Sequence, residues 1–353
     1  MDLIDYKSIG IEAWNSFCKD NKDAWFWHTS YRIEHALNAS KKIKSINKSF
    51  GIFNNKKLIA IAPLTIDENI SENIKEINYG GFGTPIAAIV NNIDKELKKK
   101  LYKKIFNTID EYAINYNVKR SCLIKTLNHS FYGFDKESLN FGYNDISQST
   151  QIINLKNTKE NIYNEFSINH KRAIKKAEKF LEINIYNSSN FEENVFERYK
   201  NFYKKAAGDH VRPDRVFELS KEYLMKNMAV LGVAKYKDKE VGYVLVIYYK
   251  NFAYFLNSAK DDNFDICPIS HILHYNIILY LKKIKIDFYE LGLIQFKDNF
   301  MENPSTKQLN ISKFKKSFGG FTISKFISEK FYDKNFASKI LNQRLLNFLS
   351  KIH

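Results

Sequence analysis

The second half of this chain repeats the order of its first half, and a repeat of that length restricts the fold more than any single motif does. In the first half, residues 49–53 read as a short apolar strand, 54–57 (Asn-Asn-Lys-Lys) as a turn, and 58–64 as a second strand ending at Pro63-Leu64. An apolar stretch around Ile77 leads into Gly80-Gly81-Phe82-Gly83-Thr84-Pro85. Leu97, Leu101, Ile105, Ile109 and Tyr112 then recur at helical spacing, which predicts a helix over 94–116, and 122–124 reads as a buried strand.

The same order returns later. Residues 229–236, 241–248 and 252–258 read as strands, with a turn at 237–239. A polar loop at 261–267 precedes a helix over 268–283, whose Ile272, Leu273, Ile277 and Leu281 share one side and whose Pro268 suits a first turn. Residues 286–291 close the unit as a strand. Gly51-Ile52-Phe53 with Ile59-Ala60-Ile61 matches Gly232-Val233-Ala234 with Gly242-Tyr243-Val244. A strand meander, loop, helix and strand make a mixed α/β layout, with mixed sheets and flanking helices. The expected domains are 1–150 and 151–353. The second would include an amphipathic helix at 335–352, docked through Ile340, Leu341, Leu345 and Leu349 as ordinary core packing.

The 353 residues are 44% hydrophobic and 15% aromatic, which excludes a disordered chain and fits two cores. No apolar run approaches the roughly 18 to 20 residues of a membrane helix, and the acidic start, Met1 to Asp5, lacks a signal layout. A cytoplasmic protein is expected, with peripheral contact at the inner face of an anionic membrane as an option. The net charge of +16 calls for an anionic partner, yet only seven of 55 basic residues are Arg, the usual bidentate phosphate reader. Cys18, Cys122 and Cys267 are scattered and read as buried thiols, with no metal-ligand spacing. Cys267 stands out because a helix N-terminus beside Pro268 can lower a thiol pKa. Trp14, Trp25 and Trp27 with Phe26 read as core of the first half.

The repeat has the core order of the GNAT acyltransferase fold, in which two central strands splay apart around an acyl donor. Three segments carry a closer likeness: residues 168–179 (Ile-Asn-His-Lys-Arg-Ala-Ile-Lys-Lys-Ala-Glu-Lys), Tyr289-Glu290-Leu291-Gly292, and residues 311–320 with Phe314-Lys315-Lys316-Ser317-Phe318-Gly319-Gly320. Together they resemble the FemABX family of tandem GNAT-like transferases, over most of residues 150–325 and in layout only before that. The resemblance implies two tandem GNAT-like domains. It also implies transfer of an acyl or aminoacyl group to an amine of a cell-envelope precursor, either an amino sugar or a peptidoglycan peptide. That acceptor would be linked to a nucleotide or lipid phosphate. The donor would be a co-substrate, with no tightly bound cofactor and no metal: an aminoacyl-tRNA, or an acyl-CoA or acyl carrier. Residues 157–181 are too short for the long coiled-coil arm of well-known members, and 261–267 contain no Gly of the kind that binds coenzyme A in simple GNAT enzymes.

Carried over by the resemblance, Lys315 would stabilise charge at the reaction centre, against the plainer reading of a solvated lysine between Lys313 and Lys316. Arg215, opening the run to Tyr223, would meet substrate phosphate, or else pair with Asp214 or Glu218. Arg172 belongs to a basic stripe with Lys171, Lys175, Lys176 and Lys179 that could follow phosphates or simply be solvated. Glu290 would be a general base, or pair with a lysine. Tyr254 and Tyr289 are in-strand aromatics able to bind substrate or to pack a core. Asp209-His210 is a weaker acid/base pair, and Gly80–Gly83 a weak phosphate loop. The alternative to an enzyme is an RNA- or membrane-surface-binding module that keeps the fold without catalysis.

Overall fold

The computed structural model describes residues 1–128, 136–208, 212–297 and 300–352. It divides into two compact units: 1–148 with 297–303 and 324–353, and 149–296 with 304–323.

The first unit begins with β1 (Asp2–Asp5), α1 (Tyr6–Ile9), α2 (Ile11–Asp20), α3 (Ser30–Leu37), β2 (Ile43–Asn47), β3 (Phe50–Asn54) and β4 (Lys57–Ala62). It continues through β5 (Thr65–Asn69), β6 (Ile74–Ile77), β7 (Thr84–Pro85), β8 (Ala88–Ile89), α4 (Lys95–Asn115), β9 (Arg120–Ile124) and β10 (Asn144–Asp145). The second unit holds β11 (Gln148–Asn154), α5 (Lys159–Glu165), α6 (Ile168–Ala177), β12 (Glu182–Tyr186), α7 (Glu193–Ala207), α8 (Asp214–Met225) and β13 (Ala229–Tyr236). After these come β14 (Lys239–Tyr249), β15 (Phe252–Lys260), α9 (Ile269–Lys283), β16 (Phe288–Ile294), α10 (Thr306–Lys316) and β17 (Phe321–Lys325). The chain ends in β18 (Ile327–Phe331) and α11 (Lys334–Leu349).

In the first unit one sheet runs β1-β3-β4-β8 and a second runs β10-β18-β9-β6-β5-β2, with β7 also on β9. The helix expected at 94–116 forms as α4, started by Asp94 accepting from Leu97 N at 2.7 Å, and it buries Leu101, Ile105 and Ile109. Trp14, Trp25, Phe26 and Trp27 are buried as expected. The Gly80–Gly83 loop spends its amides internally: Gly81, Phe82 and Gly83 all donate to Asn78 O at 3.0 Å. Gly80 N donates to the buried Asp67 carboxylate at 2.6 Å. Such a loop has little left to offer a phosphate.

In the second unit one sheet runs β12-β13-β14-β15-β16-β11-β17; β12 to β15 and β16 with β11 pair antiparallel, and β15 with β16 parallel. Strand alternation assigns its two faces. Val241, Val244 and Val246 of β14 pack with Ile272, Leu273 and Ile277 of α9 and Ile174 of α6. Tyr243 faces the other way, against Tyr199 and Phe202 of α7. This is the expected mixed α/β architecture, with the strand and helix order of the second half as the repeat foretold.

Two expectations are corrected at the C-terminus. Residues 324–353 group with the first unit, because Ile327 to Phe331 pair antiparallel with β9 and place β18 between β9 and β10. α11 buries none of its residues, and Leu341, Leu345 and Leu349 are 46%, 44% and 49% exposed. Arg344 pairs with the buried Glu329, Asp333 caps the helix while accepting from Lys119 at 2.8 Å, and the rings of Phe336 and Phe348 meet Phe331 and Phe300. A helical apolar spacing was visible in sequence; which side the neighbouring strand would cover was not. Among the described residues no helix is long and apolar enough to cross a membrane.

Candidate active site

The second unit's sheet opens at one place. β15 and β16 are parallel from Phe252↔Phe288 to Tyr254↔Glu290, and there their pairing ends although both strands continue. Each carries a bulge at that point. Leu245 opposes Asn257 while Val246 opposes Phe255, so Leu256 is the extra residue on β15. Gln151 opposes Gly292 while Ile152 opposes Glu290, so Leu291 is the extra residue on β16. A bulge bends and twists its strand. Two adjacent bulges on neighbouring strands therefore drive them apart, and backbone groups facing the gap lose their strand partner.

A pocket of about 890 Å³ opens at this parting. Phe255, Ser258 and Lys260 of β15 and Leu291 of β16 line it, with the start of α9 from Pro268 to His271 and Lys307, Phe314 and Lys315 of α10. Phe255, Ser258 and Lys260 oppose residues of the α9 face, so the pocket lies on that face of the sheet.

Lys315 is the sequence-selected residue that reaches the gap. It is half-buried where Lys313 and Lys316 are exposed, and its Nζ donates to Leu293 O at 2.9 Å. A Cβ at Gly292 (φ +90°) would stand 3.2 Å from Lys315 Nζ and 3.9 Å from Tyr254 Oη, so the ammonium and the phenol converge on one glycine. Glu290 lies beside Tyr254 in register, on the opposite sheet face from Tyr289, and neither it nor Tyr254 lines the pocket. It is 1% exposed and accepts from Thr150 Oγ1 at 2.8 Å. Tyr289 is fully buried, and its hydroxyl meets His274 Nδ1 at 3.1 Å; burial raises its pKa well above the usual value. Tyr223 is core under α8. Arg215 is engaged by Glu218 at 3.1 Å and Glu222 at 3.3 Å and does not line the pocket. Arg172 is exposed on α6, one turn before Lys176, which does line the pocket. Asp209-His210 lies outside the described residues. Cys267 lines the pocket, but burial raises its thiol pKa, so no activated thiolate is expected there.

The sequence reading missed a histidine cluster. His271 and His274 of α9 line the pocket, and the His170 ring of α6 packs tilted against His271 with centroids 4.5 Å apart. Desolvation by burial draws His271 down to about 4 and His274 to about 3; burial, then the neighbouring imidazoles, draw His170 to about 3. All three are neutral at pH 7. Phe314 and Phe318, four apart on the α10 segment, wedge against them with centroids 5.0 Å from His271 and 4.0 Å from His170. Two histidines three apart in the first turns of an otherwise apolar helix were the available signal. Among the described residues no His, Cys, Asp or Glu group could hold a metal ion.

No family model and no curated protein matches this sequence. Solved structures do. FemX aligns with a TM-score of 0.66 at 11% identity, over 97% of this chain and 100% of that one. The C-terminal domain of a putative lysylphosphatidylglycerol synthetase from Agrobacterium fabrum aligns at 0.55 and 9% identity, over 95% of both chains. A tandem GNAT protein from the clavulanic acid biosynthesis pathway aligns at 0.50 and 7% identity, over 94% of this chain and 98% of that one. Two bulged strands parting over a pocket, within an architecture shared end to end with FemX, give this chain the tandem GNAT-like fold.

Proposed function

We propose that the protein transfers an acyl or aminoacyl group from a phosphate-bearing carrier to an amine. The observation that carries this reading is the parted β15–β16 pair opening onto a pocket whose wall holds Lys315 beside Gly292. In the step, the neutral amine attacks the acyl carbonyl carbon and a C–N bond forms. The tetrahedral oxyanion then collapses and breaks the bond to the carrier oxygen or sulfur. One proton leaves the nitrogen and one reaches the departing atom. Lys315, on the pocket wall, supplies a fixed cation for the oxyanion; Tyr254, in register with Glu290 and outside the lining, takes no part in the proton transfer. Glu290, sealed in the sheet with Thr150, takes no direct part. Arg172 extends the cationic side of α6 beyond Lys176 towards the carrier or acceptor phosphates.

The proposed acceptor is the one the FemABX resemblance implies: an amine on a cell-envelope precursor, either an amino sugar or a peptidoglycan peptide, bearing a nucleotide or lipid phosphate. The test is product formation by mass spectrometry with acyl-CoA and aminoacyl-tRNA donors against UDP-amino sugars and UDP-muramyl peptide. Lys315→Ala should lower kcat by about 10² to 10³, the usual cost of one oxyanion donor, while the unfolding midpoint barely moves. Undiminished turnover in that variant would remove Lys315 from the chemistry. Absence of product, with RNA or vesicle binding that collapses in salt, would favour the binding-module alternative.

A further inference from the structure

We infer that the acyl group taken by the second unit's pocket is uncharged and apolar, without a free ammonium, on a phosphate-bearing carrier; this rests on the transferase reading above. The lining sorts by exposure. Leu291 and Cys267 are buried, and Phe255, Phe264 and Phe314 are partly buried, so the sheltered walls are apolar. The exposed lining carries the charge: Lys176, Lys260 and Lys307, with the half-buried Lys315 at the strand parting. Against these four lysines stands one lining carboxylate, Asp265, itself exposed in the loop between β15 and α9. Among the described residues neither Lys176 nor Lys307 is in an ion pair, while Lys260 approaches Asp262 at 3.6 Å.

That arrangement divides a donor into two parts. Phosphates suit the lysines at the exposed edge. The acyl group suits the sheltered walls, where each buried methylene is worth roughly fourfold in affinity. An aminoacyl donor would bring a fixed ammonium to the carbon next to the reacting carbonyl, close to Lys315. It would meet like charge there, and acceptors too few to replace its water. Of the remaining polar lining groups, Ser258 and Asn310 are exposed and Ser270 is partly buried; His274 already meets the Tyr289 hydroxyl, and His271 offers one imidazole, all of them neutral groups that cannot balance an ammonium's charge.

The test uses pairs in which only the ammonium on the carbon next to the carbonyl is replaced, on two carriers: isobutyryl-CoA against alanyl-CoA, and phenyllactyl-tRNA against phenylalanyl-tRNA. Calorimetric titration of the full chain should show the uncharged member of each usable pair binding at least about tenfold tighter, a difference of about 1.4 kcal/mol. Hexanoyl-CoA should bind tighter than acetyl-CoA. Ser258→Asp, at an exposed strand position lining the pocket, should narrow the gap within a pair; a merely structural loss would weaken both members alike. Equal or tighter binding of the ammonium-bearing donors overturns the inference and leaves the transferase reading standing. Failure of every donor to bind overturns the transferase reading and this inference with it.

Discussion

Lys315 shows what a single residue's surroundings add to its identity. In the chain it is one lysine among Lys313, Lys315 and Lys316, and only the FemABX resemblance set it apart. In the fold its neighbours point to solvent, while its own ammonium reaches the Leu293 carbonyl at the parting of two strands. The histidines show the converse. Nothing in their spacing announced that His170, from another helix, would pack against the His271 ring, because that contact belongs to helix packing. The cluster has a measurable consequence. Each histidine has a folded pKa depressed below its ordinary value, to about 3 or 4, so between pH 6.5 and 4 the unfolded chain binds protons that the native state does not. Stability is therefore full above pH 6.5 and falls as the pH drops towards 4, each unit of depression being worth about 1.4 kcal/mol. Urea unfolding at pH 7 and pH 5 should show the loss, and His170→Asn should shrink it. A pH-independent midpoint over that range would mean the imidazoles are hydrated.

At the scale of elements, the Phe-Lys-x-x-Phe-Gly-Gly segment explains itself once folded. Phe314 and Phe318 lie one turn apart and brace the histidines, and Lys315 points between strands. Gly319 and Gly320 then turn the chain from α10 into β17 with φ of +68° and +73°. The turn passes so close to β11 that a Cβ at Gly320 would lie 2.1 Å from the Ile152 carbonyl oxygen. Gly320 N also donates to Glu165 Oε2 at 2.8 Å, so the turn cannot move away freely. Gly320→Ala should cost at least about 2 kcal/mol from the left-handed backbone and the clash together. Chemical denaturation of the variant checks this, and an unchanged midpoint would show that β17 can shift. The bulges at Leu256 and Leu291 belong to the same scale. They create the opening, yet neither residue differs in kind from any strand leucine, because a bulge is a property of pairing.

For the whole molecule, the charge of +16 now has a local expression in the four lysines of the pocket. A phosphate-bearing donor should be drawn there by interactions that salt screens, since the Debye length falls from about 8 Å at 0.15 M to about 3 Å at 1 M. Donor affinity should fall severalfold between about 0.05 and 0.5 M sodium chloride in calorimetric titrations. Salt-independent affinity would assign the binding energy to the apolar walls alone. The repeat of strand, turn, strand and helix made the two-unit plan legible. The C-terminal segment was not, since β18 completes a sheet of the first unit from more than 180 residues beyond β10.

The sequence by itself determined the elements, their order and their doubling, because helical and strand periodicity, turn residues and caps act over a few residues. It also determined the residue types available at the site: a lysine after phenylalanine, scarce arginines, and a loop without glycine after β15. Tertiary structure alone decided which of these meet. Strand pairing put Tyr254 beside Gly292 and turned Glu290 inward to Thr150, while the seating of α10 brought Lys315 to the same glycine. Helix packing gathered three histidines from two helices and left α11's leucines exposed. Those outcomes depend on contacts between residues far apart in the chain, whose geometry is set by the register of a sheet and the seating of a helix, quantities that no local pattern encodes.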